Sequence, residues 1–230
     1  MLRASPELPE ISMPRFEAVL FDCDGVLVDS EPITNTVLRD MLAERGWEMT
    51  LEECMRQFVG KAVRDERAVI EARTGQPLTD DWMVAFRERR NQALEQQLTA
   101  IPNVHEAVRA VHAHHEARIA CASGADRHKV ELQLRKVGLM DYFDGRIFSG
   151  HEQPRTKPAP DVYLAAARAL GVDPRGCAVV EDTVTGVTAG VAAGARVYAY
   201  APAGGVDALR SAGALEVFAD MNDLEALLCG

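Results

Sequence analysis

The chain has 230 residues, enough for one large domain or for a core that carries a smaller insert. Acidic residues outnumber basic ones 35 to 25, for a formal charge of −10, and no Lys/Arg-rich run is present, which argues against a nucleic-acid partner. Nothing approaches the ~18 consecutive apolar residues of a membrane span, and five scattered cysteines without a CxxC pair read as reduced thiols, so a cytoplasmic protein without membrane contact is expected.

Residues 1–15 hold three prolines and no apolar h-region; they read as a loose tail without a signal peptide, with Met13 as an alternative start. The run Ala18, Val19, Leu20 and Phe21 then leads straight into Asp22, Cys23, Asp24 and Gly25. A short apolar run closed by a turn signal is the pattern of a buried parallel strand. In open α/β sheets the site lies beyond the carboxyl ends of the strands, so two carboxylates stand where such a sheet does its chemistry. Strand alternation sends Asp22 and Asp24 to one side and Cys23 to the other. Close carboxylates repel unless a cation neutralises them, which implies a metal, an ionised nucleophile beside a protonated acid, or both. An ordinary Asp/Gly turn is the competing explanation.

Helical periodicity follows over 33–45, 51–58, 63–73 and 80–98, with no convincing strand between Ser30 and Leu98. The pattern then becomes strand–helix alternation. Helices are predicted at 103–115, 126–137, 160–170, 184–193 and 223–228, and strands at 118–122, 146–148, 177–180, 196–200 and 215–218. This is an α/β chain with a Rossmann-like parallel-sheet core, 16–32 and 99–230, and an inserted all-helical cap domain, 33–98.

Three further features lie at predicted strand ends or loops. Ser123 and Gly124 precede a helix, a place suited to an anion, although by themselves they read more plainly as an ordinary βα turn. Lys157 sits in a loop stiffened by Pro158 and Pro160, where a lone lysine is otherwise a solvated surface charge. Glu181 and Asp182 end the apolar run 177–180 and would meet Asp22 and Asp24; oxygen ligands from two strand ends suit octahedral Mg²⁺. The six histidines lack an HExxH-type arrangement and are read as surface residues.

Asp22-x-Asp24-Gly25-x-Leu27-x-Asp29-Ser30, followed by Ser123, Lys157 and Glu181-Asp182, resembles in type and order the four motifs of the haloacid dehalogenase-like superfamily. The likeness covers nearly the whole chain from residue 16, and the helical block falls where small-metabolite phosphatases and β-phosphoglucomutases of that superfamily carry a cap. The resemblance implies Asp22 as nucleophile through an aspartyl phosphate, and Asp24 as general acid and base, starting protonated. It implies Mg²⁺ on the Asp22 carboxylate, the Asp24 backbone carbonyl and Asp182, with Glu181 direct or through water. Ser123, Gly124 and Lys157 would hold the phosphate. In the cap, Arg89, Arg90, Lys61 and Arg64 are candidates for the substrate, Arg90 foremost, with solvated cap charges as the plainer reading. Related dehalogenases lack the second acid, so Asp24 points to phosphate esters. Thr34 stands where mutases carry a histidine, which favours a phosphatase of a small phosphorylated metabolite, a sugar phosphate or phosphorylated sugar acid. A phosphosugar mutase and a non-catalytic binding protein are the alternatives, and a monomer is the simplest assembly.

Overall fold

The computed structural model describes residues 16–229; the tail and alternative start at 1–15 lie outside them. Six parallel strands run in the order β3-β2-β1-β4-β5-β6. They are β1 (Ala18–Phe21), β2 (Ile119–Ser123), β3 (Ile147–Ser149), β4 (Cys177–Glu181), β5 (Arg196–Tyr200) and β6 (Glu216–Phe218). Because β1 lies between β2 and β4, its carboxyl end is flanked by the ends of both neighbours. Its four residues are all fully buried, which is why the sequence there is a continuous apolar run.

Period-two alternation assigns those side chains to two cores. Val19 and Phe21 join Cys121, Val180 and Tyr198 under α5 (Val104–His114), α6 (Arg127–Lys136), α7 (Met140–Phe143) and α11 (Leu224–Cys229). Ala18 and Leu20 join Ala120, Ala122 and Val179 under α8 (Asp161–Ala169), α9 (Val184–Ala192) and α10 (Val206–Ser211). Strand burial on both faces follows from having helices on both.

Between β1 and β2 lie α1 (Glu31–Ala43), α2 (Leu51–Phe58), α3 (Arg67–Thr74) and α4 (Asp80–Gln97). They bury a core of their own, centred on Leu38, Leu42, Phe58, Ile70, Leu78 and Phe86. The end of α4 departs from that pattern: Leu94 and Leu98 belong to the sheet's core, which anchors the insert. Thr50 and Glu53 form a capping box on α2, and Thr79 caps α4. The two chain crossings between insert and sheet are paired by a Val28–Ala100 bridge and an Asp29 N–H bond of 3.0 Å to the Thr99 carbonyl.

Three sequence boundaries shift. Helix α1 starts at Glu31, with Pro32 in the first turn, where its missing N–H costs nothing. Helix α3 starts at Arg67, because turn bonds from Asp65 and Glu66 to Ala62 and Val63 occupy the preceding residues. Ser123 is the last residue of β2 instead of lying past it. The short helices α7 and α10 were not expected; four- and six-residue segments are too short to show a period. Among the described residues, no helix is long and apolar enough to cross a membrane.

Candidate active site

Strand pairing ends at Phe21, with the Asp22 N–H bonded to the Val180 carbonyl at 2.9 Å. Beyond it the chain folds into a tight loop, with the Leu27 and Val28 N–H groups on the Cys23 carbonyl and the Gly25 N–H on the Val28 carbonyl. Strand alternation therefore stops short of Asp24. Both carboxylates line one cavity of about 340 Å³ between the helical insert and the sheet, but they are anchored on different partners.

Asp22 accepts a 2.7 Å bond from Lys157 Nζ, which gives a second bond of 2.8 Å to Glu181 Oε1. Lys157 is buried, its ammonium 4.7 Å from the Tyr163 ring centre, so the plainer reading of a solvated lysine fails. Glu181 is fully engaged. Its Oε1 also accepts from the Tyr163 hydroxyl, and its Oε2 accepts from the Asp182 N–H, the Thr183 N–H and the Thr183 hydroxyl. Burial would raise Glu181, but Lys157 and these donors hold it below the usual carboxylate range.

Asp24 hangs on α6. Its Oδ1 accepts from Lys129 Nζ and Gln133 Nε2, both at 2.8 Å, and from the Ser30 hydroxyl. Burial opposes ionisation, yet the Lys129 charge and the three donors bring Asp24 down to about 2. In the metal-free chain the Lys129 charge and these donors favour ionised Asp24, whereas the negative neighbourhood read from the sequence favours a protonated one. Asp22 is the group pushed up, to about 7, by burial and by the charges of Glu181 and Asp24 acting against Lys157.

Asp182 completes the cluster. Ligand oxygens of Asp22, Glu181 and Asp182 lie within 4.8 Å of one another. Asp182 Oδ1 is buried without a hydrogen-bond partner, and burial with the Glu181, Asp22 and Glu31 charges pushes its carboxyl well up. Gly25 makes this approach possible. It holds φ +77°, and a Cβ there would collide with Asp182 Oδ2. Gly186 does the same for Glu181, whose carboxylate fills the space a Cβ would take. Four carboxylates, Asp22, Asp24, Glu181 and Asp182, thus face two ammonium groups, Lys129 and Lys157. Burial and mutual repulsion disfavour ionisation of Asp22 and Asp182 in the metal-free chain, and together with the orphaned Asp182 oxygen this fits a hard divalent cation.

On the β2 side, Ser123 is buried; its hydroxyl oxygen accepts the Ala125 N–H at 3.1 Å, leaving its own proton to donate, and Gly124 lines the cavity beside it. In the insert, Arg90 reaches the cavity but is already paired, through Nη2 to Asp126 at 3.0 Å and through Nε and Nη2 to Asn91. Arg89 points outward to Glu44, and Lys61 pairs with Glu66 at 3.4 Å. Arg64 and Arg87 line the cavity, and their guanidinium groups make no hydrogen bond or ion pair among the described residues.

Sequence reasoning missed Arg87, Lys129, Gln133, Tyr163 and Gly186. Lys129 and Gln133 had a signal: polar residues four apart beside Val130 and Leu134 on the buried side of α6. Tyr163 and Gly186 had none, since a tyrosine in a buried helix and a glycine in a small-residue helix have many uses.

A model of the haloacid dehalogenase-like hydrolases matches residues 16–194. The chain belongs to that family. It is 30% identical to the 6-phosphogluconate phosphatase of Escherichia coli over 187 residues, 81% of this chain and 83% of that protein. Hexitol phosphatase B of the same bacterium is 32% identical over 186 residues, 80% of this chain and 83% of that one. A haloacid dehalogenase family hydrolase of Deinococcus radiodurans, solved with bound phosphate and sodium, is 36% identical; the match covers 94% of this chain and 96% of that structure with a TM-score of 0.76. In this haloacid dehalogenase-like hydrolase, Asp22, Asp24, Ser123, Lys157 and Glu181, from all four quoted motifs, line one cavity, with Asp182 beside Asp22 and Glu181.

Proposed function

We propose that this hydrolase is a Mg²⁺-dependent phosphatase that cleaves a small phosphorylated metabolite through an aspartyl phosphate on Asp22. The observation that carries the reading is the Asp22–Lys157–Glu181 chain standing beside the orphaned Asp182 oxygen at the carboxyl end of the sheet. The Asp22 and Asp182 carboxylates and the Asp24 carbonyl would hold Mg²⁺, which supplies charge neutralisation for the phosphoryl group. Glu181 has both oxygens engaged, so its contribution is to fix Lys157 and the turn after β4, not to ligate directly.

Asp22 uses one carboxylate oxygen to attack phosphorus, and the P–O bond to the leaving alcohol breaks. Lys157 offsets charge on the transferring group while it holds Asp22 in place. The Ser123 hydroxyl and the Gly124 backbone meet the phosphate oxygens. Asp24, ionised on Lys129 and Gln133, is set to take a proton from the water that cleaves the aspartyl phosphate. To protonate the leaving alcohol in the first half, it must take up a proton, which requires its carboxyl to loosen from Lys129. The helices over 33–98 serve as a cap that turns about the paired crossings at Val28 and Ala100, excluding water during attack.

Phosphate release from phosphorylated metabolites tests this reading. Release is expected with Mg²⁺ and absent with EDTA; EDTA-resistant release, or none over a broad panel, overturns it. Isomerisation of a hexose 1-phosphate ahead of release would favour the mutase, but Thr34, whose buried hydroxyl has no partner, occupies the place of the mutase histidine.

Within that panel, Arg64 and Arg87 favour a substrate with a second anion, such as a phosphorylated sugar acid, over a neutral sugar phosphate. A charged hydrogen bond contributes about 1.5–3 kcal/mol. Arg87→Ala is therefore expected to raise KM for 6-phosphogluconate about tenfold or more, with kcat and the KM of neutral hexose phosphates little changed. Equal effects on both substrate types would remove the second-anion reading and leave the phosphatase intact.

A further inference from the structure

Of the six histidines, His115 does not fit the expected surface role: it is fully buried. It caps the C-terminus of α5, and its Nδ1 lies 3.0 Å from the Phe16 carbonyl. A carbonyl only accepts, so Nδ1 carries the proton and Nε2 presents a lone pair. That Nε2 is buried and, among the described residues, has no hydrogen-bond partner. An unmet acceptor in the interior costs free energy and calls for a partner.

Two metal-ligating groups lie beside the His115 ring. A ring nitrogen of His114, a ring nitrogen of His115 and the Cys229 sulfur lie within 4.8 Å of one another. His114 ends α5 and is exposed; Cys229 ends α11 and is half-buried. Neither side chain makes a hydrogen bond among the described residues; the His114 ring packs edge-on against His115 at 5.0 Å, and Cys229 packs against the sheet's core. A backbone carbonyl on the far nitrogen is the arrangement that fixes the tautomer of a metal-binding imidazole.

We propose that His114, His115 and Cys229 form a binding site for a borderline-soft divalent ion of the zinc class, separate from the catalytic cavity. Two imidazoles and a thiolate suit such an ion, at about 2.0–2.1 Å for nitrogen and 2.3 Å for sulfur, with a fourth position left for water. Those bond lengths set the ligand atoms closer together than the 4.8 Å limit, so the proposal requires the His114 and Cys229 side chains to turn toward His115. The carboxylate cavity, with its hard oxygens, selects a different class of ion. The locations also differ. Phe16 precedes β1 and His115 precedes β2, so this cluster lies at the amino ends of the strands, and the acidic cavity lies at their carboxyl ends. The bound ion clips α11 to α5 and, through His115, to the entry of β1.

Cobalt(II) provides the test, because a thiolate ligand gives a charge-transfer band that oxygen ligands do not. The full chain is stripped with chelator, kept reduced with a non-thiol phosphine, saturated with Mg²⁺ to occupy the acidic cavity, and titrated. One equivalent of Co²⁺ is expected to bind with the thiolate band and to be displaced by Zn²⁺. Cys229→Ser should abolish the band, and His114→Ala should weaken binding about tenfold or more. Zn²⁺ should raise the melting temperature of the parent chain but not of Cys229→Ser. His114 is exposed and Cys229 half-buried, and both substitutions spare the buried His115. No thiolate band, a band that survives Cys229→Ser, or equal affinity in His114→Ala would overturn the site. None of these readouts involves phosphate release, so the result is independent of the proposed hydrolysis.

Discussion

Asp22→Asn is expected to lower phosphate release about 10⁴-fold or more while leaving the fold intact. The amide oxygen still accepts from Lys157, and the shape of the side chain is kept. What would be lost is the carboxylate proposed to form the aspartyl phosphate, and its neighbours are already committed elsewhere. Asp24 is turned onto Lys129 and Gln133, Glu181 is filled by five donors, and Asp182 sits behind Gly25. The stability of the variant adds a second readout. Burial raises the Asp22 pKa in the folded metal-free chain to about 7 from 3.8, so ionising it in the fold is unfavourable. For a carboxyl whose folded pKa is raised, that cost appears as pH climbs through the unfolded value and is complete above the folded one. In EDTA, the Asp22→Asn variant should therefore melt above the parent chain, by a margin that grows between about pH 4 and pH 7 and then levels off. Turnover within tenfold of the parent chain would sink the assignment of Asp22.

Lys157→Met is expected to damage both stability and activity. The ammonium is the common partner of Asp22 and Glu181 and is itself buried. Removing one member of such a buried set leaves charges without compensation, at a cost of about 3–5 kcal/mol. Urea unfolding should show the loss directly. Glu181→Gln in the same chain removes one of the stranded charges and should recover part of the stability, but not the phosphate release, because Asp22 would still lack its anchor. If Lys157→Met unfolds at the parent urea concentration, the lysine is not the electrostatic centre of the site. Loss of activity with full stability would leave it a role toward phosphate alone.

The sequence by itself determined the sheet and the strand ends that matter. Ala18–Phe21 and Cys177–Glu181 are apolar runs because both sheet faces are covered, and a run that ends in acid marks the edge where the chemistry stands. Strand ends put Asp22, Ser123 and Asp182 at that edge, because a parallel sheet brings all its carboxyl ends to one side; Lys157 was tied to it only by the family resemblance, and its bond to Asp22 is tertiary. The helical insert was legible from 3.6-residue periodicity and an absence of strands.

Only the tertiary structure decided how charge is shared among those groups. Asp24 and Asp22 are two residues apart, yet one is held near 2 and the other near 7, because α6 brings Lys129 to the first while Glu181 crowds the second. The cap's cations could not be sorted by sequence either. Arg87, Arg89 and Arg90 lie within one turn of α4, and the helix twist alone sends Arg89 outward to Glu44, gives Arg90 to Asp126 and leaves Arg87 unpaired at the cavity. His115 is the same lesson at the opposite edge: a histidine in a cluster of three reads as surface until α11 folds over it and buries its free nitrogen. Local pattern fixes which residues reach an edge, whereas the pairing of charges is set by residues distant in the chain, whose contacts no spacing encodes.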